Sequence, residues 1–341
     1  MISKNKMTIK VGSRKSKLAL KQVEIAMKYF DIDNYEVVGI KTEGDKKSAA
    51  GLSLFDKLNF VEDIENKLIS NEIDIAIHSA KDMPAKLNQD LRNIYIIEGD
   101  IGLQRRAQGW GSEHTYGGTD AFRSDLWGKD ILIFRNDIDP VFKAEMKLGT
   151  SSLRRKMQAK FFLGAKNIHN INGNIDTRIK KLNDGIYDCI ILAHAGCERL
   201  GLKLNSIVLD KHMTLPSQGK ICVQSNKNFI INSKVLSIKS LQRATDILGY
   251  RDDGVDPYFN NINMANRFLR KIGADCHSAV AINAHGENIA DKYPFFEAEI
   301  YGKDEYIHIG PGEGNDEKWV VDTAIDQFYS RGGEKLLNEH N

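Results

Sequence analysis

The pattern of apolar and polar positions predicts alternating strands and helices over the first two-thirds of the chain. Short β-branched or apolar runs predict strands at 8–12, 35–41, 73–78, 148–151, 167–171 and 189–193. Helices are predicted from Ser16 onward and at 60–70, 153–162 and 175–183; in the first, Ala19, Val23, Ala26 and Phe30 share one face. Strands that alternate with helices predict a mainly parallel sheet covered on both faces.

A change of pattern predicts three domains. Segment 99–119 is rich in glycine and lacks periodicity, so we interpret it as a crossing between two α/β domains, with 215–224 as the return crossing. After about residue 235 the order becomes helix, helix, strands, helix, which is typical of a smaller α+β domain. The predicted domains are 1–115 with 215–234, then 116–214, then 235–341.

Composition and charge narrow the class of protein. Lysine and arginine total 48 against 46 acidic residues, so the net charge of +2 argues against a nucleic-acid-binding protein. No apolar run has the length of a membrane span, and residues 1–7 lack the apolar middle of a secretion signal. Cysteine spacings fit neither a metal site nor a disulfide framework, so we expect reduced thiols in the cytoplasm. The cysteines are Cys189, Cys197, Cys222 and Cys276.

Three predicted strand ends share one local design. Segments 11–16, 149–155 and 172–178 each place small hydroxyl or amide residues, with an arginine, at the start of a helix. Free backbone N–H groups and the helix dipole favour anions there, although ordinary helix capping explains any one of them. Three together indicate a ligand with several negative groups. The pattern does not distinguish carboxylates from phosphates.

A carboxylate and a thiol are the candidate reactive groups. Asp82 follows a mostly apolar strand, where it could stabilise a developing cation or relay a proton; a surface Lys–Asp turn is the alternative. His78 on that strand fits a core histidine. Cys276 lies in a small-residue loop beside His277, where it is either a nucleophile or a half-buried structural cysteine. The other three cysteines lie in or beside apolar runs and are predicted to be core.

Eight segments occur along the chain in an order and spacing that are specific to one protein family. They are VGSRKSKLA at 11–19, KTEGD at 41–45, DIAIHSAKDMP at 74–84, LGTSSLRR at 148–155, GNIDTR at 173–178, YDCIILA at 187–193, RLGL at 199–202 and CHS at 276–278. With these segments the chain resembles the porphobilinogen deaminase family over nearly its whole length. The resemblance implies two α/β domains similar to periplasmic-binding-protein lobes, plus a smaller α+β C-terminal domain.

The resemblance also implies chemistry. It implies a cytoplasmic, monomeric transferase of tetrapyrrole (haem) biosynthesis, which joins four porphobilinogen molecules into hydroxymethylbilane with release of ammonia. Cys276 would hold a dipyrromethane cofactor through a thioether, Asp82 would be catalytic, and no metal, nucleic acid or membrane is implied. The cofactor-binding positions are Cys276, Lys81, Asp82, Thr150, Ser151, Ser152, Arg154, Arg155 and Asp45. The substrate-binding positions are Arg14, Ser16, Gln22, Lys57, Arg178, Arg199 and Gly173.

Several departures from the family pattern predict a divergent member. The lid segment reads FDKLNF at 55–60, Asn172 replaces an arginine, the hinge is reduced to GTDA at 118–121, the return strand reads SQGK at 217–220, and Asp275 precedes the cysteine. A cytoplasmic carboxylate-binding module and a catalytically degenerate homologue are the alternatives.

Overall fold

The computed structural model describes residues 8–30, 32–43, 58–96, 126–226, 257–275, 277–285, 293–314 and 316–340, without the side chains of 58–60, 94–96, 257–260 and 285. The strands are β1 Ile9–Arg14, β2 Tyr35–Ile40, β3 Ile75–Ser79, β4 Leu91–Ile96, β5 Asp130–Phe134, β6 Leu148–Gly149, β7 Ile168–His169, β8 Cys189–Ala193, β9 Ser206–Val208, β10 Ile221–Asn226, β11 Val280–His285, β12 Phe295–Tyr301 and β13 Tyr306–Glu313. The helices are α1 Lys17–Tyr29, α2 Leu58–Ile69, α3 Leu153–Leu163, α4 Ile175–Asn183, α5 His194–Arg199, α6 Pro257–Lys271, α7 Glu317–Ser330 and α8 Gly333–Asn338.

Two five-stranded sheets share one topology. Their orders are β2-β1-β3-β10-β4 and β7-β6-β8-β5-β9. In each sheet the first three strands are parallel, and a fourth lies antiparallel to both of its neighbours. Four of the five strands in each sheet therefore run in the same direction, which confirms the prediction of mainly parallel sheets, and the one antiparallel strand was not predicted. β10 enters the first sheet after the chain has passed through the second, and it runs in the opposite direction to β3 and β4.

Local sequence signals placed most helices correctly. α4 begins and ends as predicted, and α3 ends one residue later than predicted. α1 begins after Ser16, whose side chain accepts a hydrogen bond from the backbone N–H of Ala19 at 3.2 Å. The strands predicted at 148–151 and 167–171 shrink to two residues each, and β4, β5 and β9 were missed.

Each sheet is covered by helices on both faces. All five residues of β5 are buried, and successive residues belong to different cores: Ile131 and Ile133 pack with Leu182 of α4, whereas Leu132 and Phe134 pack with Ala159 of α3. Full burial of such side chains stabilises the folded state by about 1.5–3 kcal/mol each. Strands buried on both faces are continuous apolar runs, so these two units form the α/β part of the fold.

The C-terminal unit is a three-stranded antiparallel sheet packed against helices. β11, β12 and β13 pair in that order. Its core brings together Phe268 of α6, Phe296 of β12 and Phe328 of α7, all fully buried. This unit is α+β, as predicted. The first of its two predicted leading helices lies outside the described residues.

The segments that connect the sheets are held together near Gly128. The Gln218 side chain and the Thr214 hydroxyl donate to the Gly128 carbonyl at 2.9 and 2.8 Å. Gly219 has φ +86°, and a Cβ there would lie 2.4 Å from the Trp127 carbonyl oxygen, so only glycine fits. The predicted outgoing crossing at 99–119 and the GTDA segment lie outside the described residues. In the part of the chain that is described, no helix has the length and apolarity needed to span a bilayer.

Candidate active site

The carboxyl ends of the parallel strands of the two sheets face one another. Arg14 ends β1 in the first sheet, and Thr150 follows β6 in the second. Across the gap, the Lys17 ammonium lies 3.5 Å from the Asp176 carboxylate, and Leu18 approaches Gly196. Open α/β sheets bind ligands at this edge, so the strand ends form a cleft suited to a ligand.

Asp82 lies on this edge of the first sheet. It ends a short 3-10 turn, Ala80–Asp82, that follows β3 directly. Its carboxylate is 27% exposed and lies 3.9 Å from the Arg14 guanidinium. Asp82 is therefore open to a ligand, and Arg14 is its nearest described cation.

A hydrogen bond between Gln22 and Ser79 joins α1 to the residue that precedes the Ala80–Asp82 turn. Gln22 is buried on α1, and its side chain donates to the Ser79 hydroxyl at 2.9 Å. Ser79 is the last residue of β3 and was not among the predicted site residues, although it lies between two that were discussed, His78 and Asp82. Ser16, by contrast, uses its side chain to cap α1.

Asp130 holds two of the predicted arginines. Its carboxylate, 1% exposed, accepts from Arg155 Nη2 at 2.7 Å and from Arg154 Nη1 at 2.9 Å. Burial alone would raise the pKa of Asp130, but the charges of Arg155 and Arg154 hold it well below its usual range. The sequence-based prediction did not include Asp130; an acidic residue directly before the apolar run 131–134 was the available signal.

Part of this arginine pair is left for a ligand. Arg155 is 7% exposed, and its Nε has no hydrogen-bond partner among the described residues. Ser152 is the N-cap of α3, but its side chain makes no capping hydrogen bond. A buried guanidinium donor without a partner beside a helix N-terminus fits an anionic group such as a carboxylate. These residues therefore fit the dipyrromethane that the resemblance implies.

Thr150 and Ser151 shape the loop before α3. Thr150 is fully buried, and its hydroxyl accepts from the backbone N–H of Ser152 at 3.3 Å. The Ser151 hydroxyl donates to the Ile171 carbonyl at 2.7 Å and accepts from the Ile171 N–H at 3.0 Å. The same hydroxyl lies 3.2 Å from the side-chain oxygen of Asn172. These contacts join the ends of β6 and β7.

Gly173 and Arg178 form the matching corner at α4. Gly173 has φ +111°, and a Cβ there would lie 2.7 Å from Thr177. Arg178 Nε donates to the Gly173 carbonyl at 2.7 Å. Burial lowers the pKa of Arg178 to about 10. The positive charge of Arg155 lowers this pKa further, whereas the negative charge of Asp82 raises it. Arg178 therefore lies within electrostatic reach of both Arg155 and Asp82.

Arg199 and Lys81 lie at the connecting segments. Arg199 is 7% exposed, donates to the Gly219 carbonyl at 2.5 Å and lies 5.4 Å from the centre of the Trp127 ring. Lys81 lines a small cavity of about 20 Å³ with Ser217 and Asn266. Arg199 thus lies at the connecting segments, and Lys81 lies between the first sheet, the segment 215–217 and α6 of the C-terminal unit.

The loop that would carry the cofactor is described on either side of Cys276. Cys276, Asp45 and Lys57 themselves lie outside the described residues. The Asp275 carboxylate accepts from the backbone N–H groups of His277 and Ser278 at 2.8 and 3.0 Å, so its charge is used to close this turn. Ala279 packs in one cluster with Leu153, the first residue of α3. The loop therefore lies near the α3 N-terminus.

The remaining cysteines are buried in the core, as predicted. They are Cys189, Cys197 and Cys222. Burial raises the pKa of Cys197 to about 11, opposed by Lys81 and Arg155. A thiol with so high a pKa is a poor nucleophile at neutral pH.

His78 is buried beside this edge of the sheet. It is 5% exposed, and its Nε2 has no hydrogen-bond partner among the described residues. Burial lowers the pKa of His78 from 6.5 to about 4, against the opposing charge of Asp82. The sequence-based interpretation as a core histidine is confirmed, and the folded protein holds this ring neutral at pH 7.

This pKa predicts acid sensitivity. Because the folded pKa lies below the unfolded value, His78 stabilises the fold fully above pH 6.5, and this contribution is lost as the pH falls towards 4. The loss amounts to about 3 kcal/mol. Denaturant unfolding at both pH values should therefore show a smaller pH dependence in His78→Gln than in the wild type. Replacing the exposed His169 in the same way serves as the control, and equal pH dependence in His78→Gln and the wild type would contradict the prediction.

Comparison with known proteins identifies sequence relatives that are porphobilinogen deaminases. The sequence model described as "Porphobilinogen deaminase, dipyromethane cofactor binding domain" matches residues 9–101 and 124–230. A probable porphobilinogen deaminase of Picrophilus torridus is 30% identical over 288 residues, covering 83% of this chain and 87% of the relative. The porphobilinogen deaminase of Bacillus subtilis is 33% identical, and the alignment covers 80% of this chain and 78% of the relative. The porphobilinogen deaminase of Streptococcus sanguinis is 29% identical, and the alignment covers 95% of this chain and 96% of the relative. The solved structure of an ancestral cationic amino acid solute-binding protein aligns with 70% of this chain and 93% of its own length, at a TM-score of 0.36 and 13% identity.

Proposed function

The chain belongs to the porphobilinogen deaminase family, and from that membership we propose that Asp82 is the catalytic carboxylate of a hydroxymethylbilane synthase. The enzyme joins four porphobilinogen molecules head to tail and releases one ammonia at each condensation. The observation that carries the proposed role is the position of Asp82 on the cleft edge, 27% exposed, beside Arg14 and within electrostatic reach of Arg178.

Asp82 acts on the charge that develops when ammonia leaves. Cleavage of the C–N bond of porphobilinogen leaves a cation on the pyrrole and its methylene carbon. A carboxylate within a few ångströms stabilises that cation, and it can accept the proton lost when the new C–C bond is complete. The Arg14 guanidinium, 3.9 Å from the Asp82 carboxylate, orients that carboxylate towards the cleft.

The cations around Asp82 bind the acid groups. Each pyrrole unit brings two carboxylates, so a growing chain needs several guanidinium or ammonium groups. Arg155 supplies a buried Nε that has no hydrogen-bond partner among the described residues, and Arg178 lies within electrostatic reach of it. Lys81, Arg154 and Arg199 border the same region, while Thr150, Ser151, Ser152 and Gly173 shape its two helix N-termini. Ser16 and Gln22 support the turn and helix on the Asp82 side.

The family match also names the dipyrromethane cofactor. When bound, this group offers a free pyrrole α-carbon to which the first substrate is joined. Cys276 is the proposed attachment point, because the other three cysteines are buried and the loop around position 276 lies near the α3 N-terminus. Asp45 and Lys57 remain proposed contacts. We expect a monomer in the cytoplasm.

Turnover of porphobilinogen tests the function. The purified protein is expected to release four ammonia molecules and one hydroxymethylbilane for every four porphobilinogen molecules consumed. Both products are measured against a buffer blank. Release at the blank rate would favour the degenerate homologue, and binding of the substrate without ammonia release would favour the carboxylate-binding module.

A further inference from the structure

Asp130 is the centre of a buried polar cluster at the base of the site. Besides the two arginines, its carboxylate accepts from the Gln218 side chain at 2.8 Å. Gln218 in turn accepts from Arg154 Nη2 at 3.2 Å and donates to the Gly128 carbonyl at 2.9 Å. A buried carboxylate with this many donors is held in one orientation.

The cluster continues into the C-terminal unit. Arg154 Nη1 donates to the Gln158 side chain at 2.8 Å, and Gln158 donates to the Tyr301 hydroxyl at 3.0 Å. Tyr301 is fully buried on β12 and donates to Glu299. Arg154 is therefore occupied by protein groups on several sides, and its position is coupled to the unit that carries Cys276.

The two arginines carry more charge than the one carboxylate that both of them contact. Two guanidinium groups share the carboxylate of Asp130, and both arginines are less than one-tenth exposed. Among the described residues, Asp130 is the only carboxylate that forms an ion pair with either arginine, so it directly offsets only one of two like charges that repel one another in a poorly hydrated site. Within this pair, the Nε of Arg155 has no hydrogen-bond partner among the described residues.

We propose that Asp130 is a positioning residue that holds Arg154 and Arg155 side by side and directs the free Nε of Arg155 towards one carboxylate of the cofactor. This inference rests on the proposed function. It assigns the two arginines different tasks: Arg155 binds the ligand, whereas Arg154 links Asp130 to Gln158 and the C-terminal unit. Asp130 itself does not touch the ligand.

The test is the fraction of folded chains that carry the cofactor. In Asp130→Asn, intact-protein mass spectrometry should show at least about a tenfold lower fraction with the covalent mass of two pyrrole units, because a displaced guanidinium no longer meets the carboxylate. Asp130→Glu keeps the charge but moves it by one methylene, and it should not restore the wild-type fraction. Asp188→Asn in the same sheet, whose carboxylate accepts from the Lys147 N–H at 2.8 Å, is the matched control and should keep the mass.

The outcomes separate the two proposals. A wild-type protein without the two-pyrrole mass would contradict the proposed cofactor, whatever Asp130 does. A wild-type protein with the mass and a folded Asp130→Asn protein with the same fraction would overturn the positioning role. Full recovery in Asp130→Glu would also overturn it, because charge balance alone would then suffice. If Asp130→Asn does not fold, Gln218→Leu keeps every charge and removes one bond to Asp130, so an unchanged fraction in that variant is the contradicting result.

Discussion

Asp82→Asn is expected to leave the protein folded and to lower kcat for hydroxymethylbilane formation by about 10²- to 10⁴-fold. The amide keeps the shape of the side chain but removes the negative charge that stabilises the substrate cation. The effect on stability is small, because the carboxylate is 27% exposed and its described ion pair with Arg14 spans 3.9 Å. Such a pair contributes at most about 1 kcal/mol.

The control for this variant lies on the same strand segment. Asp74, just before β3, accepts from the backbone N–H of Lys10 at 2.7 Å at the opposite end of the sheet. Asp74→Asn should retain kcat, although it removes the same charge. Unfolding curves show whether both variants are folded, and ammonia release gives kcat. If folded Asp82→Asn turns over like the wild type, Asp82 is not the catalytic carboxylate.

Cys276→Ala is expected to remove the covalent mass of two pyrrole units and to abolish turnover completely. The three described cysteines are not expected to substitute, because Cys189, Cys197 and Cys222 are buried and burial raises the pKa of Cys197 to about 11. A buried thiol with a raised pKa offers little thiolate to form a thioether. Intact-protein mass spectrometry of the variant, as purified, measures the effect directly.

Cys222→Ala is the matched control, because it removes a thiol that is not the proposed attachment point of the cofactor. Cys222 is the second residue of β10 and is fully buried, so its replacement should cost on the order of 1 kcal/mol of stability and leave the cofactor mass in place. The two variants are expected to differ by the mass of the cofactor. Retention of that mass in Cys276→Ala, or its loss in Cys222→Ala alone, would place the attachment elsewhere.

The candidate site shows how far residue patterns reach. Asp82 at a strand end, the capping Ser16 and the left-handed Gly173 could all be identified from neighbours within a few positions. The arginines were recognised as a group, but their different tasks were not. Arg199, for example, contacts Gly219 and Trp127, which are 20 and 72 positions away, so its place at the connecting segments followed only from the folded chain.

The sequence alone determined most of the helices, the α/β and α+β classes of the units and the strand ends that border the cleft, because helix periodicity, N-caps and strand ends depend on residues three or four positions apart. The tertiary structure decided which strands run antiparallel and which charges meet. β10 pairs with β3 across more than 140 residues, and Asp130 meets Arg154 and Arg155 across 24 and 25. Such partners are selected by burial, since a charge excluded from water is stable only beside its counter-charge, and no local pattern records where that counter-charge will lie.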